Sequence, residues 1–157
     1  MNRAANFRLA LIAFAVFVLD QGAKLLVLRF LGPTQERVVI NGFFKFVRWG
    51  NTGAAWSLFS GRSFVLATLA AATLVAIFVG RRALGLAAPR AQGCFGLMCG
   101  GIAGNLADRL VRGHVVDFLD FHFGSYVYPT FNLADSAICV GVVLYAAYSL
   151  RPPRSAA

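Results

Sequence analysis

This chain is short of acid. Six Asp and Glu face fifteen Lys and Arg in 157 residues, for a formal charge of +9, and charged residues of both signs make up only 13%. With 59% hydrophobic residues and a mean hydropathy of +0.69, the composition fits a membrane protein better than one modest soluble domain. Cysteine is scarce too: Cys94, Cys99 and Cys139 all lie in apolar runs, which excludes a disulfide framework and leaves them as small hydrophobes. Nothing repeats at a fixed period, and the basic residues are scattered rather than gathered in a stripe, which argues against a nucleic-acid partner. Also missing are a Gly-x-Ser-x-Gly setting for Ser57 or Ser125 and a His-x-x-x-His or cysteine cluster to join His114, Asp117 and His122. A serine hydrolase and a metal centre therefore find little support, and no metal or cofactor is expected.

What is present is a set of long apolar runs. Arg3 and Arg8 precede the first, which imitates a secretory leader; no small-x-small cleavage site follows, and the pattern resumes beyond Asp20 and Gln21. Spans are expected at about 9–30, 64–80, 93–109 and 133–150, each long enough to cross or nearly cross a bilayer at ~1.5 Å per helical residue. The expected fold is thus an all-α membrane protein, 1–157 forming one integral membrane domain. It is a four-transmembrane-helix bundle with outer loops at 31–63 and 110–132. Asp20 and Lys24 stand four apart and can pair on one helix face. Gly96, Gly100 and Gly104 give the third span a flat face for a neighbouring helix.

Four spans put both termini on one side. Lys and Arg divide evenly, seven to each side, but those on the terminal side crowd the span ends, which favours cytoplasmic termini. The carboxylates then gather at the outer side. Within the first outer loop, 37–40 and 43–49 read as strands flanking Asn41-Gly42, giving a small outer β-hairpin or sheet. Residues 54–59 read as a short interfacial helix with Trp56 at headgroup depth.

Four of the six acids, Asp108, Asp117, Asp120 and Asp135, fall between Gly101 and Ile138. An ionisable group at a membrane boundary is costly to keep, so this stretch is the place to look for function. Asp117 follows the third span and Asp135 opens the fourth; antiparallel helices bring those ends to one surface, where the two carboxyls can share a proton and activate water. Asn132 and Asp135 also have the spacing of a capping box, and a helix start favours the ionised form of Asp135, leaving Asp117 as the protonated partner. Asp120 is assigned to the surface. Asn105, Asp108 and Arg109 share a helical face; Asp108 is placed to pair with Arg112, and Arg109 either binds a substrate carbonyl or phosphate or holds Asp108.

Several blocks then stand in order: Asp20-Gln21 with Lys24; Asn51-Thr52-Gly53-Ala54-Ala55; Gly101-Ile-Ala-Gly-Asn-Leu-Ala-Asp-Arg-Leu; Val115-Val116-Asp117-Phe118; and Phe131-Asn132-Leu133-Ala134-Asp135-Ser136. Together they resemble bacterial lipoprotein signal peptidase, the signal peptidase II family, from Asp20 to about Ile138. The resemblance implies an intramembrane aspartic endopeptidase of the bacterial inner membrane, its site near the periplasmic surface. It would cut prolipoproteins just before the diacylglyceryl-modified cysteine, with Asp117 and Asp135 as the catalytic pair. It also implies that Asn51, Asn105, Arg109 and Asn132 surround the pair and the substrate backbone, that Asp20, Lys24 and Gly104 support the site, and that membrane phospholipid surrounds a monomer. Trp56 stands where that family more often has Phe, and Tyr128 where Trp is frequent. A small transporter or an accessory subunit using the same outer-end carboxylates is the alternative; a transporter would want charge nearer mid-bilayer.

Overall fold

The computed structural model describes residues 3–33, 35–54 and 58–150, and the side chains from residue 7 onward. Four helices and four strands follow in the order α1 (Arg3–Phe30), β1 (Glu36–Ile40), β2 (Phe44–Asn51), α2 (Ser63–Gly80), α3 (Pro89–Arg112), β3 (Val115–Phe123), β4 (Tyr126–Val127) and α4 (Leu133–Ser149). The protein is therefore helix-rich with a small antiparallel sheet, and two stretches, Phe7–Phe30 and Ser63–Gly80, are long and apolar enough to cross a membrane. The helices match the expected spans, except that α1 begins six residues earlier and α3 begins four residues earlier and runs three further. Residues 55–57 of the expected interfacial helix, Trp56 among them, lie outside the described residues, and 58 and 59 form a turn instead of a helix.

Helix α3 is the axle of the bundle, packed against α1, α4 and α2. Its small residues explain the closeness. A Cβ added at Gly100 would stand 2.6 Å from the carbonyl oxygen of Ala13, and one at Gly96 2.8 Å from Cβ of Ile12, so the glycine ridge seats α1. On the other side Gly141 of α4 lies against Cys94 and Met98. The ridge serves packing within one chain. Helix α2 is the outlier: only Ala67 of it is buried, and its one substantial helix interface is with α3.

The sheet runs β1-β2-β3-β4, every pair antiparallel. The expected hairpin is there, but Asn41-Gly42-Phe43 makes a three-residue connection, with Gly42 at φ +70° and a bulge between Val38 and Ile40. Strand β3 falls where the sequence reading placed a loop. Gly113, at φ +75°, ends α3 by donating its N–H to the Arg109 carbonyl, and turns the chain into β3. A second irregularity, between Phe46 and Trp49, shifts the β2–β3 register by one residue. Beyond it Trp49 pairs with Asp117 and Asn51 with Val115, which makes Asn51 and Asp117 diagonal neighbours on one face of the sheet.

Candidate active site

Asp117 comes from β3 and Asp135 from the first turn of α4, and both line a cleft of about 730 Å³. Asn51, Asn105 and Arg109 line the same cleft, whose far lip is formed by Tyr128, Pro129, Thr130 and Phe131. Six of the nine expected site residues thus converge, counting Asn132, which is fully buried behind the pair. Asn132 is the hub. Its backbone N–H donates to Oδ2 of Asp135 (3.1 Å) and its Oδ1 accepts from the Asp135 N–H (3.0 Å), completing the capping box of α4. Its Nδ2 donates to Oδ1 of Asp117 (2.7 Å) and to Oδ1 of Asn105 (3.2 Å). One side chain therefore caps the helix and binds the carboxylate of the opposing strand.

Amide donors occupy both carboxyls. Asn51 Nδ2 donates to Oδ2 of Asp117 at 2.9 Å, and Asn105 Nδ2 donates to Oδ1 of Asp135 at 2.7 Å. No Lys or Arg among the described residues is within ion-pair distance of either carboxyl. Asp117 is only 2% exposed. Burial, followed by the negative charge of Asp135, pushes its pKa from the ordinary 3.8 up to about 7, against the opposing pull of the Asn51 and Asn132 amides. A carboxyl poised there exchanges a proton at neutral pH.

The remaining three expected residues form a second cluster one step back. Asp20, Lys24 and Asp108 are fully buried; Lys24 Nζ lies 2.8 Å from Oδ2 of Asp20 and 2.9 Å from Oδ2 of Asp108. Arg112 takes the other oxygen of Asp108 at 2.5 Å. Gly104 belongs here because a Cβ would meet Oδ2 of Asp20 at 2.5 Å. The clusters touch at Asn105, whose Oδ1 accepts from Lys24 Nζ at 2.9 Å. Because that oxygen already faces a cation and the Asn132 amide, the NH₂ of Asn105 is left to point at Asp135.

Two sequence assignments need correcting. Asp120 is not a surface carboxylate: it is 7% exposed within β3, accepting from Thr130 Oγ1 (3.4 Å) and paired with His122 Nε2 (2.9 Å), with Lys45 Nζ at 3.6 Å. Strand register across β2 explains it, since Lys45 lies opposite Asp120. Arg109 does not hold Asp108, which takes Arg112 instead; its Nη2 reaches the Gly53 carbonyl at 3.0 Å, and its buried Nε has no partner among the described residues. The place of Tyr128–Phe131 as the cleft lip and of the Gly53 carbonyl beside Arg109 was not foreseen, although Gly53, Tyr128 and Phe131 stand in or beside the blocks that carry the resemblance. Only long-range strand pairing brings them in, and no local pattern announces it.

A family model described as signal peptidase (SPase) II matches residues 12–151. The chain belongs to the signal peptidase II family. Among relatives named lipoprotein signal peptidase, that of Bacillus pumilus (strain SAFR-032) is 37% identical over 85% of this chain and 86% of its own. The one from Desulforapulum autotrophicum is 37% identical over 92% of this chain and 93% of its own. A solved bacterial membrane enzyme, determined by the in meso method at 2.3 Å, superposes with a TM-score of 0.84 at 28% identity, covering 94% of this chain and 93% of that one. Signal peptidase II membership thus spans all the elements that build the cleft.

Proposed function

We propose that the protein is an aspartic endopeptidase that cleaves the signal peptide of diacylglyceryl-modified prolipoproteins immediately before the lipidated cysteine, with Asp117 and Asp135 as the catalytic pair. Family membership supports the protease and its class of substrate. The observation that carries the pair is the contrast in partners: these two carboxyls line one cleft and receive amide donors only, whereas the other buried acids are paired with Lys24, Arg112, His122 or Lys45. In the resting state Asp117 carries the proton and Asp135, at a helix start, is ionised.

Asp135 takes a proton from a water held between the carboxyls, and the hydroxyl oxygen adds to the scissile carbonyl carbon while Asp117 gives its proton to the carbonyl oxygen. The gem-diol collapses: the C–N bond breaks, the proton on Asp135 passes to the leaving nitrogen, and a diol proton returns to Asp117. Atoms balance with no metal and no cofactor. Arg109, whose Nε has no partner among the described residues, holds a substrate backbone carbonyl, while Asn51, Asn105 and Asn132 fix the carboxyls. Asp20, Lys24 and Gly104 hold α1 against α3 and α4: Oδ1 of Asp20 accepts from the Ala134 N–H at 3.0 Å. The remote diacylglyceryl chain orients the bond at the pair.

The same reading makes all four helices spans of one domain over residues 1–157. Helix α4 is apolar but 17 residues long, and α3 carries its polar residues toward its two ends, with an apolar and glycine-rich middle. We place the protein as a monomer among phospholipids in the inner membrane, with cytoplasmic termini and the cleft near the periplasmic surface. Purified protein incubated with a diacylglyceryl prolipoprotein should release the signal peptide, and Asp117→Asn or Asp135→Asn should stop it. Cleavage by either variant would remove the pair from the mechanism.

A further inference from the structure

A second cavity lies at the other end of the bundle, away from the carboxylates. About 470 Å³ in volume, it is a slot between Leu9 of α1 and Leu74, Ile77 and Phe78 of α2, with Cys99 of α3 as its floor and Leu86 of the α2–α3 connection at its end. The slot exists because α2 leans on α3 and forms no comparable interface with α1. Its walls are apolar except at one point, where Arg81 sits. The guanidinium lies 4.5 Å above the centre of the Phe78 ring and donates to the Phe78 carbonyl at 2.6 Å, which holds it at the rim with further N–H groups to offer.

Charge at this end is of one sign. Arg82 and Arg90 are exposed close by in sequence, Arg8 precedes the wall residue Leu9, and no described carboxylate pairs with any of these arginines. All six acids of the chain lie on other segments: Asp20 far along α1, Glu36, Asp117 and Asp120 in the sheet, Asp108 at the far end of α3, and Asp135 at the start of α4. An apolar slot of this size, capped by an unneutralised guanidinium, suits an amphiphile with an anionic head and a hydrocarbon tail. In a protein that spans a bilayer, such an amphiphile is at hand on every side.

We infer that this slot binds one anionic phospholipid, an acyl chain lying between α1 and α2 and the phosphate on Arg81. The inference rests on the four-span reading given above, and the lipid acts as the missing packing between α1 and α2, not as substrate. Native mass spectrometry of the full chain in detergent tests it, with phosphatidylglycerol and phosphatidylcholine of matched chains as probes. Wild type should retain one phosphatidylglycerol in preference to phosphatidylcholine, by about fivefold for one arginine at the headgroup. Arg81→Gln, which can still donate to the Phe78 carbonyl, should bring the two lipids to parity; Leu74→Trp, which fills the slot, should reduce both.

Equal binding of the two lipids by wild type would overturn the inference, as would an undiminished preference in Arg81→Gln or full retention in a folded Leu74→Trp. Inorganic phosphate that displaced nothing from the slot, yet bound with the same dependence on Arg81, would reassign the arginine to free phosphate and overturn it equally. Prolipoprotein cleavage by the same preparations separates this from the proposed activity. Both variants should cleave as wild type does, and a wild type that binds the lipid but cannot cleave would count against the protease reading alone.

Discussion

Two pairs of buried aspartates sit a few side chains apart, and their surroundings give them opposite characters. Asp20 and Asp108 share Lys24, and Asp108 also takes Arg112, so two acidic side chains meet two basic ones. Asp117 and Asp135 receive side-chain amides and a backbone N–H, dipoles that steady a carboxylate without cancelling its charge. One group holds its own counter-charges; the other is held by dipoles alone. The lesson is that burial alone does not single out a carboxyl as a candidate for chemistry, whereas burial without a cation does.

Breaking the amide-held pair should give the largest effect. Asp117→Asn and Asp135→Asn are each expected to lower kcat for prolipoprotein cleavage by about 10²–10⁴-fold or more, with helicity by circular dichroism retained. Breaking the ion-paired cluster should instead damage the fold: Lys24→Met leaves Asp20 and Asp108 short of a cation and should cost about 3–5 kcal/mol, read as a lowered unfolding temperature in detergent. Adding Asp20→Asn and Asp108→Asn to that variant should recover part of the loss. If Lys24→Met stopped cleavage while leaving stability untouched, the division between the two clusters would be wrong.

The pairs should also differ with pH. The folded-state pKa of Asp117, about 7, lies above the ordinary 3.8, so its contribution to stability is complete below pH 4 and is lost as pH rises through 7. Wild type should therefore unfold at a lower temperature at pH 8 than at pH 5, by on the order of a few kcal/mol of stability. Asp117→Asn should flatten that dependence, and cleavage by wild type should decline as the shared proton leaves above pH 7. The smallest effect belongs to Asp120, already satisfied by Thr130, His122 and Lys45 away from the pair. Thr130→Val removes one hydrogen bond worth about 0.5–1.5 kcal/mol and should loosen the cleft lip, raising KM a few-fold with kcat little changed.

How much of this could be read from the chain depends on the reach of each interaction. The apolar runs gave α2 and α4 almost to the residue and the end of α1, though not its start, and four-residue spacing gave both Asp20–Lys24 and Asp108–Arg112, because these are local rules. Asn132 and Asp135 declared themselves three apart as a cap. Strand β3 did not. Its first four residues are all buried, so it lacks the in–out alternation that marks a strand with one wet face, and its partner β2 is more than sixty residues earlier. Asp120 was misplaced for the same reason, since its burial is set by the strand across from it. Roles for the site residues came from family resemblance; the direction of each amide came only from the fold.

Asn132 has a consequence for any compound built to grip both carboxyls. Drug escape commonly works by moving a contact group a little, yet Asp135 cannot shift without unwinding the first turn of α4, and Asp117 is tied to the same side chain that caps that turn. Variants that evade such a compound should therefore accumulate in the Tyr128–Phe131 lip, where a change of shape leaves the shared anchor alone.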